Sequence, residues 1–103
     1  GNSTQEALKK LDEQTFLSVF DGVPQFEVSR EKLGTNIIEM LAVETAIFPS
    51  KGECRKMIQA NGLSVNKEKF TDANGVLGEE KLINGKYILV QKGKKNYFIL
   101  KFN

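Results

Sequence analysis

The chain contains no histidine and a single cysteine, Cys54. Without histidine, Ser-His-Asp and Cys-His nucleophilic centres cannot be assembled, and zinc sites lose their commonest nitrogen ligand. One cysteine excludes an intrachain disulfide framework and every Cys-x-x-Cys site, and it points to a reducing compartment, the cytoplasm. Long apolar runs are lacking as well. The longest are of four residues, such as Tyr87-Ile88-Leu89-Val90, far short of the roughly 20 residues that span a bilayer, and no apolar segment near the N-terminus reads as a signal sequence. A soluble protein with no membrane partner is expected. Neither Gly85-Lys86 nor Gly93-Lys94 has a glycine five residues earlier, and no Gly-x-Gly pair exists, so neither a phosphate loop nor a dinucleotide turn is visible. Glu79-Glu80 lie adjacent in a Gly-bounded polar stretch, which reads as a solvated loop rather than an acid/base pair. No catalytic residue, metal site or cofactor can be named.

What is present is one domain's worth of chain: 103 residues, 40% apolar and 27% charged, enough for a modest core and too little for a deep substrate cavity. The start at Gly1 rather than Met is read as a piece cut from a longer protein. The net charge of +2 hides an asymmetry. Residues 1–48 carry four basic and eight acidic side chains, whereas residues 49–103 carry eleven basic and five acidic ones. Such a split suits a polyanion partner for the second half, or a merely solvated surface.

Ser3-Thr4-Gln5-Glu6 has the spacing of a capping box, and Leu8, Leu11, Thr15, Phe16 and Val19 or Phe20 follow at helical spacing, which predicts one helix over 4–20. Asp21-Gly22-Val23-Pro24 stops it, and 25–32 reads as a connector. Asn36 caps a second helix with Ile37, Ile38, Leu41 and Ala42 on one side, ending near Ala46. Ser50-Lys51-Gly52-Glu53 opens a third, running to about Ala60 before an Asn61-Gly62 cap. The period then alternates. Leu63 to Asn66 is a short strand, Lys69 to Thr71 is extended, and Asp72 to Gly75 is a turn. Asn84-Gly85 is a hairpin-type turn, and Tyr87–Gln91 and Tyr97–Phe102 are strands joined by a loop over 92–96. The fold class is therefore α+β: a two-helix hairpin packed on a small, mainly antiparallel sheet, preceded by an N-terminal helix.

On the third helix Cys54, Met57 and Ile58 share a core-facing side. Lys51, Arg55 and Gln59, each four apart, line the neighbouring edge, with Lys56 further round. A row of cations and an amide suits a phosphate backbone, cations giving affinity and polar groups fixing register; a solvated helix face is the plainer reading. Asn66 and Lys69 extend this edge, or Asn66 is simply a turn residue. Lys92, Lys94 and Lys95 crowd a loop in which Gly93 permits close approach of a ligand, unless the loop is only a solvated turn.

The run from Ser50 to Asn66, Ser-Lys-Gly-Glu-Cys-Arg-Lys-Met-Ile-Gln-Ala-Asn-Gly-Leu-Ser-Val-Asn, resembles the αL RNA-binding motif of a small-subunit ribosomal protein and several RNA-modifying enzymes. With Gly22-Val23-Pro24 after a helix, Gly85-Lys86-Tyr87, and Gln91-Lys92-Gly93-Lys94-Lys95-Asn96-Tyr97 near the end, nearly the whole chain resembles the C-terminal domain of bacterial tyrosyl-tRNA synthetases. The resemblance implies an αL RNA-binding fold over 33–103. Residues 1–32 would then be a helix and connector from a missing catalytic domain. It implies no catalysis in this piece, tyrosine tRNA as partner, and ATP as cofactor of the parent's separate catalytic domain. The parent would be a homodimer and the fragment a monomer. Carried over by position, Ser50, Lys51, Arg55, Lys56, Gln59, Asn66 and Lys69 form the RNA-facing set, with Lys92, Lys94 and Lys95 as a second basic contact. Cys54 stands where alanine is usual and reads as core. Lys67 stands where glycine follows asparagine, which puts the turn geometry in question. A docking module of an RNA-modifying enzyme such as a pseudouridine synthase, or a protein-interaction domain, are the alternatives.

Overall fold

Alternation in the last third of the chain builds the sheet. The computed structural model describes residues 2–103, with side chains described from Glu6 onward. Strands β6 (Tyr87–Lys92) and β7 (Asn96–Phe102) form an antiparallel hairpin with Leu89 opposite Ile99 and Gln91 opposite Tyr97. Successive side chains point to opposite faces. Phe98, Leu100 and Phe102 therefore serve one core, and Tyr97 and Ile99 the other. Both faces are covered at Tyr87–Val90, which explains four consecutive buried residues there. Strand β3 (Leu63–Val65) adds antiparallel to β6, and β4 (Glu68–Lys69) adds to β3. On the far edge β1 (Gln25–Val28) runs parallel to β7, giving the order β1-β7-β6-β3-β4. Strands β2 (Thr35–Asn36) and β5 (Val76–Leu77) form a separate antiparallel pair.

One face carries α3 (Ile37–Glu39), continued by a π-helical turn over Met40–Glu44, and α4 (Lys51–Gln59). Ile37, Ile38, Met40, Leu41, Cys54 and Ile58 pack there on Leu63, Val65, Ile88 and Val90. Burying each such side chain is worth about 1.5–3 kcal/mol. The other face carries α1 (Asn2–Lys10) and α2 (Glu13–Val19), whose Leu8 and Phe16 pack on Tyr87, Leu89 and Ile99. Phe16 and Tyr87 stack at 5.4 Å between ring centroids. The two-helix hairpin on a mainly antiparallel sheet is as the pattern predicts.

Three boundaries differ from the sequence reading. The helix expected over 4–20 is two helices, because the Asp12 side chain accepts from the Thr15 amide at 2.7 Å and starts a new helix with its own cap. The break shifts the helical phase, so Phe16 is buried while Val19 is 61% exposed. The Ser3–Glu6 capping box involves side chains outside the described residues. The stretch 25–32 is not only a connector: it holds β1 and a 3-10 turn over Arg30–Lys32. Asn36 caps α3 as expected, its oxygen accepting from the amides of Ile38 and Glu39. The helical run ends at Glu44, two residues short of the Ala46 near which the end was expected. Thr45 is extended, and its hydroxyl donates to the carbonyls of Met40 and Leu41, occupying groups the helix leaves open.

Candidate nucleic-acid interface

Helix α4 is set by its two ends. Ser50 is extended, and its Oγ accepts from the Glu53 amide at 3.2 Å, one half of the capping box. At the other end Asn61 takes the left-handed conformation at φ +60°, and the Gly62 amide donates to the Met57 carbonyl at 2.8 Å. Gly62 leaves room for the Met57 thioether, which would have to swing aside for a Cβ at this position. Between these ends Cys54 and Ile58 are buried and Met57 half-buried, while Ser50, Lys51, Arg55, Lys56 and Gln59 are exposed. Burial pushes the Cys54 thiol up to about 11, so it is a packing group and not a thiolate at neutral pH. Lys51 is tied to Glu39, Nζ to Oε1 at 2.6 Å. Arg55, Lys56 and Gln59 have no side-chain partner among the described residues.

The β3–β4 turn follows. Asn66 and Lys67 both have positive φ, +51° and +70°, the signature of a type I′ hairpin turn. Lysine thus adopts the conformation that the more usual glycine takes without strain. Asn66 was expected on the RNA-facing set, and here the structure corrects the sequence. The residue is fully buried; its Nδ2 donates to the Lys81 carbonyl at 2.7 Å and its Oδ1 accepts from the Leu89 amide at 3.0 Å. With no exposed surface, its side chain offers no group to a ligand. Lys69 is exposed, but its ammonium donates to the Asn61 carbonyl at 2.8 Å, against the C-terminal end of α4 where a cation is favoured.

The β6–β7 loop adds the second group. Gly93 sits at φ +75°, and its amide donates to the Gly62 carbonyl at 2.8 Å, which fastens the loop to the end of α4. Lys94 and Lys95 are exposed, without side-chain partners among the described residues. Lys92 is not equivalent to them. Its ammonium donates to the Ile47 carbonyl at 3.0 Å and lies 4.7 Å from the centre of the Phe48 ring, so it braces the segment that leads into α4.

The expected cations therefore divide. Among the described residues Arg55, Lys56, Lys94 and Lys95 are uncommitted, whereas Lys51, Lys69 and Lys92 already hold a partner within the fold. Two neighbours of the set escaped the sequence reading. Glu39 lies twelve residues before Lys51, and only the α3–α4 pairing brings them together. Lys67 reaches Tyr97, Nζ to Oη at 3.0 Å and 4.8 Å from the ring centre. Its extra charge was visible in the sequence, but its aromatic partner was not.

The described residues contain no group of three or more His, Cys, Asp or Glu side chains placed to hold a metal, and no helix long and apolar enough to cross a membrane.

With this geometry in hand, comparison with known proteins gives a consistent answer. The chain is 52% identical over 102 residues to the tyrosine–tRNA ligase of Parabacteroides distasonis, covering 97% of this chain and 24% of that protein. It is 50% identical over 103 residues to the tyrosine–tRNA ligase of Flavobacterium johnsoniae, covering 98% of this chain and 24% of the relative. The chain thus spans about a quarter of the length of these relatives. The solution structure of a tyrosyl-tRNA synthetase C-terminal domain superposes with a TM-score of 0.69 at 28% identity, covering 90% of this chain and 91% of that one. The family model of the tyrosine–tRNA ligase SYY-like C-terminal domain matches residues 15–100, and the chain belongs to that family.

Proposed function

We propose that this chain is the part of a tyrosine–tRNA ligase that holds tyrosine tRNA, through Arg55, Lys56 and Gln59 on α4 and Lys94 and Lys95 on the β6–β7 loop. Ser50 and Lys51 lie on the same exposed edge and Lys69 at its far end, while Lys92 and Asn66 shape the surface from beneath. The observation that carries this reading is the pairing of two uncommitted cation groups, one on each side of the Gly62–Gly93 hydrogen bond. Cations at fixed separation supply salt-dependent affinity for a phosphate backbone, and neighbouring amide and hydroxyl groups fix its register.

The role is positioning. Holding a distal part of the tRNA restricts the search of its acceptor end for a catalytic site elsewhere in the parent, so the domain raises effective concentration and performs no bond chemistry. In the parent, ATP-dependent activation of tyrosine belongs to the separate catalytic part. We place the parent in the cytoplasm as a homodimer through that part, and the isolated chain as a monomer. Relatives of this kind give no support to a docking module of a pseudouridine synthase.

The test is a fluorescence-anisotropy titration of the chain with tyrosine tRNA and with a tRNA of short variable arm, at several salt concentrations. Tyrosine tRNA is expected to bind more tightly, with affinity falling as salt rises. Arg55→Ala and Lys94→Ala are each expected to flatten the log–log salt slope by about 0.7–0.9. Binding that is absent, or insensitive to both salt and these substitutions, refutes the reading.

A further inference from the structure

Two features meet at Tyr97, a residue outside the set of cations just described. On one side the Lys67 ammonium donates to its hydroxyl and lies against its ring. On the other a recess of about 280 Å³ opens between Gly22, Val23 and Pro24 and the start of β7, with Lys95 and Tyr97 among its walls. The ring is half-buried and points to the sheet face opposite α4, as its alternation with Phe98 requires. Lys67 is an unusual occupant of its turn. At φ +70° an L-residue is strained where glycine is not, and strain of this kind persists where a side chain has use.

We propose that the recess beside Tyr97 receives one unpaired base of the bound RNA, stacked on the tyrosine ring, with Lys67 and Lys95 on its flanking phosphates. The chemistry is complementary at each point. Tyr97, Val23 and Pro24 offer an apolar slot, and unpaired bases in RNA loops are commonly held on aromatic rings. Lys67 lies over the ring and Lys95 lines the recess beside it, so a base on Tyr97 brings its own phosphates towards both cations. Lys94 and Lys95 occupy the same short loop, so an RNA strand lying on Lys94 passes directly to the recess. The site rests on the tRNA-binding reading and deepens it. It adds an uncharged contact on the second face of the sheet, where α4 and the lysine loop contribute mainly charge.

The experiment titrates the 103-residue chain with transcribed tyrosine tRNA, comparing Tyr97→Leu, Tyr97→Phe and Arg55→Ala with the unaltered chain at several salt concentrations. Stacking of a base on an aromatic ring corresponds to a roughly 5- to 150-fold loss on its removal. Tyr97→Leu is therefore expected to lose affinity on that scale with an unchanged salt slope, and Tyr97→Phe, which keeps the ring, to bind like the parent chain. In the unaltered chain the Tyr97 ring-proton resonances are expected to shift upfield when tRNA is added, a readout that needs no substitution. A folded Tyr97→Leu chain with undiminished affinity, or ring resonances that tRNA leaves in place, overturns the site while the loss in Arg55→Ala leaves the tRNA-binding reading intact. An unaltered chain that binds no tRNA overturns both.

Discussion

Asn66→Ala discriminates most sharply between a residue that meets RNA and one that builds the surface RNA meets. In the fold Asn66 has no solvent exposure and joins β6 to the 3-10 turn over Glu79–Lys81, donating to the Lys81 carbonyl and accepting from the Leu89 amide. Truncation leaves the buried Leu89 amide without an acceptor, which costs about 1–3 kcal/mol. Alanine must also hold the φ of +51° that asparagine tolerates well, at about 1 kcal/mol. The sum, about 2–4 kcal/mol, is a large share of the ~5–15 kcal/mol that holds a domain of this size folded. It should lower Tm by roughly 10–30 °C. Thermal melts followed by circular dichroism, with urea titration as a second probe, measure it. At a temperature where the variant remains folded, tRNA affinity and salt slope should match the parent chain. An unchanged Tm together with weakened tRNA binding refutes this reasoning and returns Asn66 to the contact set.

Glu39→Gln removes the carboxylate that holds Lys51 at 2.6 Å, so tRNA affinity should rise and its salt slope steepen by up to about one unit; unchanged titrations show that Lys51 does not meet phosphate. Glu13 gives a pH prediction: hydrogen bonds from the Tyr87 hydroxyl and then Lys86 hold its carboxyl below its ordinary value of 4.5. The stabilisation is present above that pH and lost as pH falls through the lower folded value, so Tm should fall in acid, less steeply in Glu13→Gln. Tyr87 works in the opposite sense, pushed up to about 12 by burial and by its bond to Glu13, so its contribution holds below about pH 10 and is lost as pH rises towards 12. Gly62→Ala brings a methyl group onto the Met57 thioether, which is flexible enough to swing aside, so in urea titration it should cost no more than the low end of the about 1–3 kcal/mol typical of overpacking, and less still in the Met57→Ala background.

The readable parts of this fold are those governed by local rules. Asn36 and Ser50 cap helices because a side-chain oxygen within three residues satisfies an open amide, which needs no tertiary knowledge. The β6–β7 hairpin follows from alternation and a short glycine-containing loop. Strand β1 was hidden because four residues of alternation carry little signal, and its partner β7 lies more than seventy positions away. At the candidate site the exposed edge of α4 was legible from helical spacing alone. The ties on Lys51, Lys69 and Lys92 were not, since each depends on which carboxylate or carbonyl the fold brings within reach of a long side chain. Asn66 shows the same limit in reverse: its polarity read as surface, and three backbone partners made burial possible.

The tied cations have a use of their own. Lys69 and the Gly93 amide bond consecutive carbonyls, those of Asn61 and Gly62, and Lys92 bonds the Ile47 carbonyl just ahead of the α4 cap. Together they clamp both ends of a helix only nine residues long, too short to be stable in isolation. Rigidity of that helix relative to the β6–β7 loop fixes the separation between Arg55 and Lys56 on one side and Lys94 and Lys95 on the other. A phosphate backbone of set geometry rewards such preorganisation, because less ordering remains to be done on binding. On the proposed tRNA-binding reading, Lys69 and Lys92 therefore contribute to affinity by holding α4 and its uncommitted cations in place, and their removal should weaken binding with little change in the salt slope.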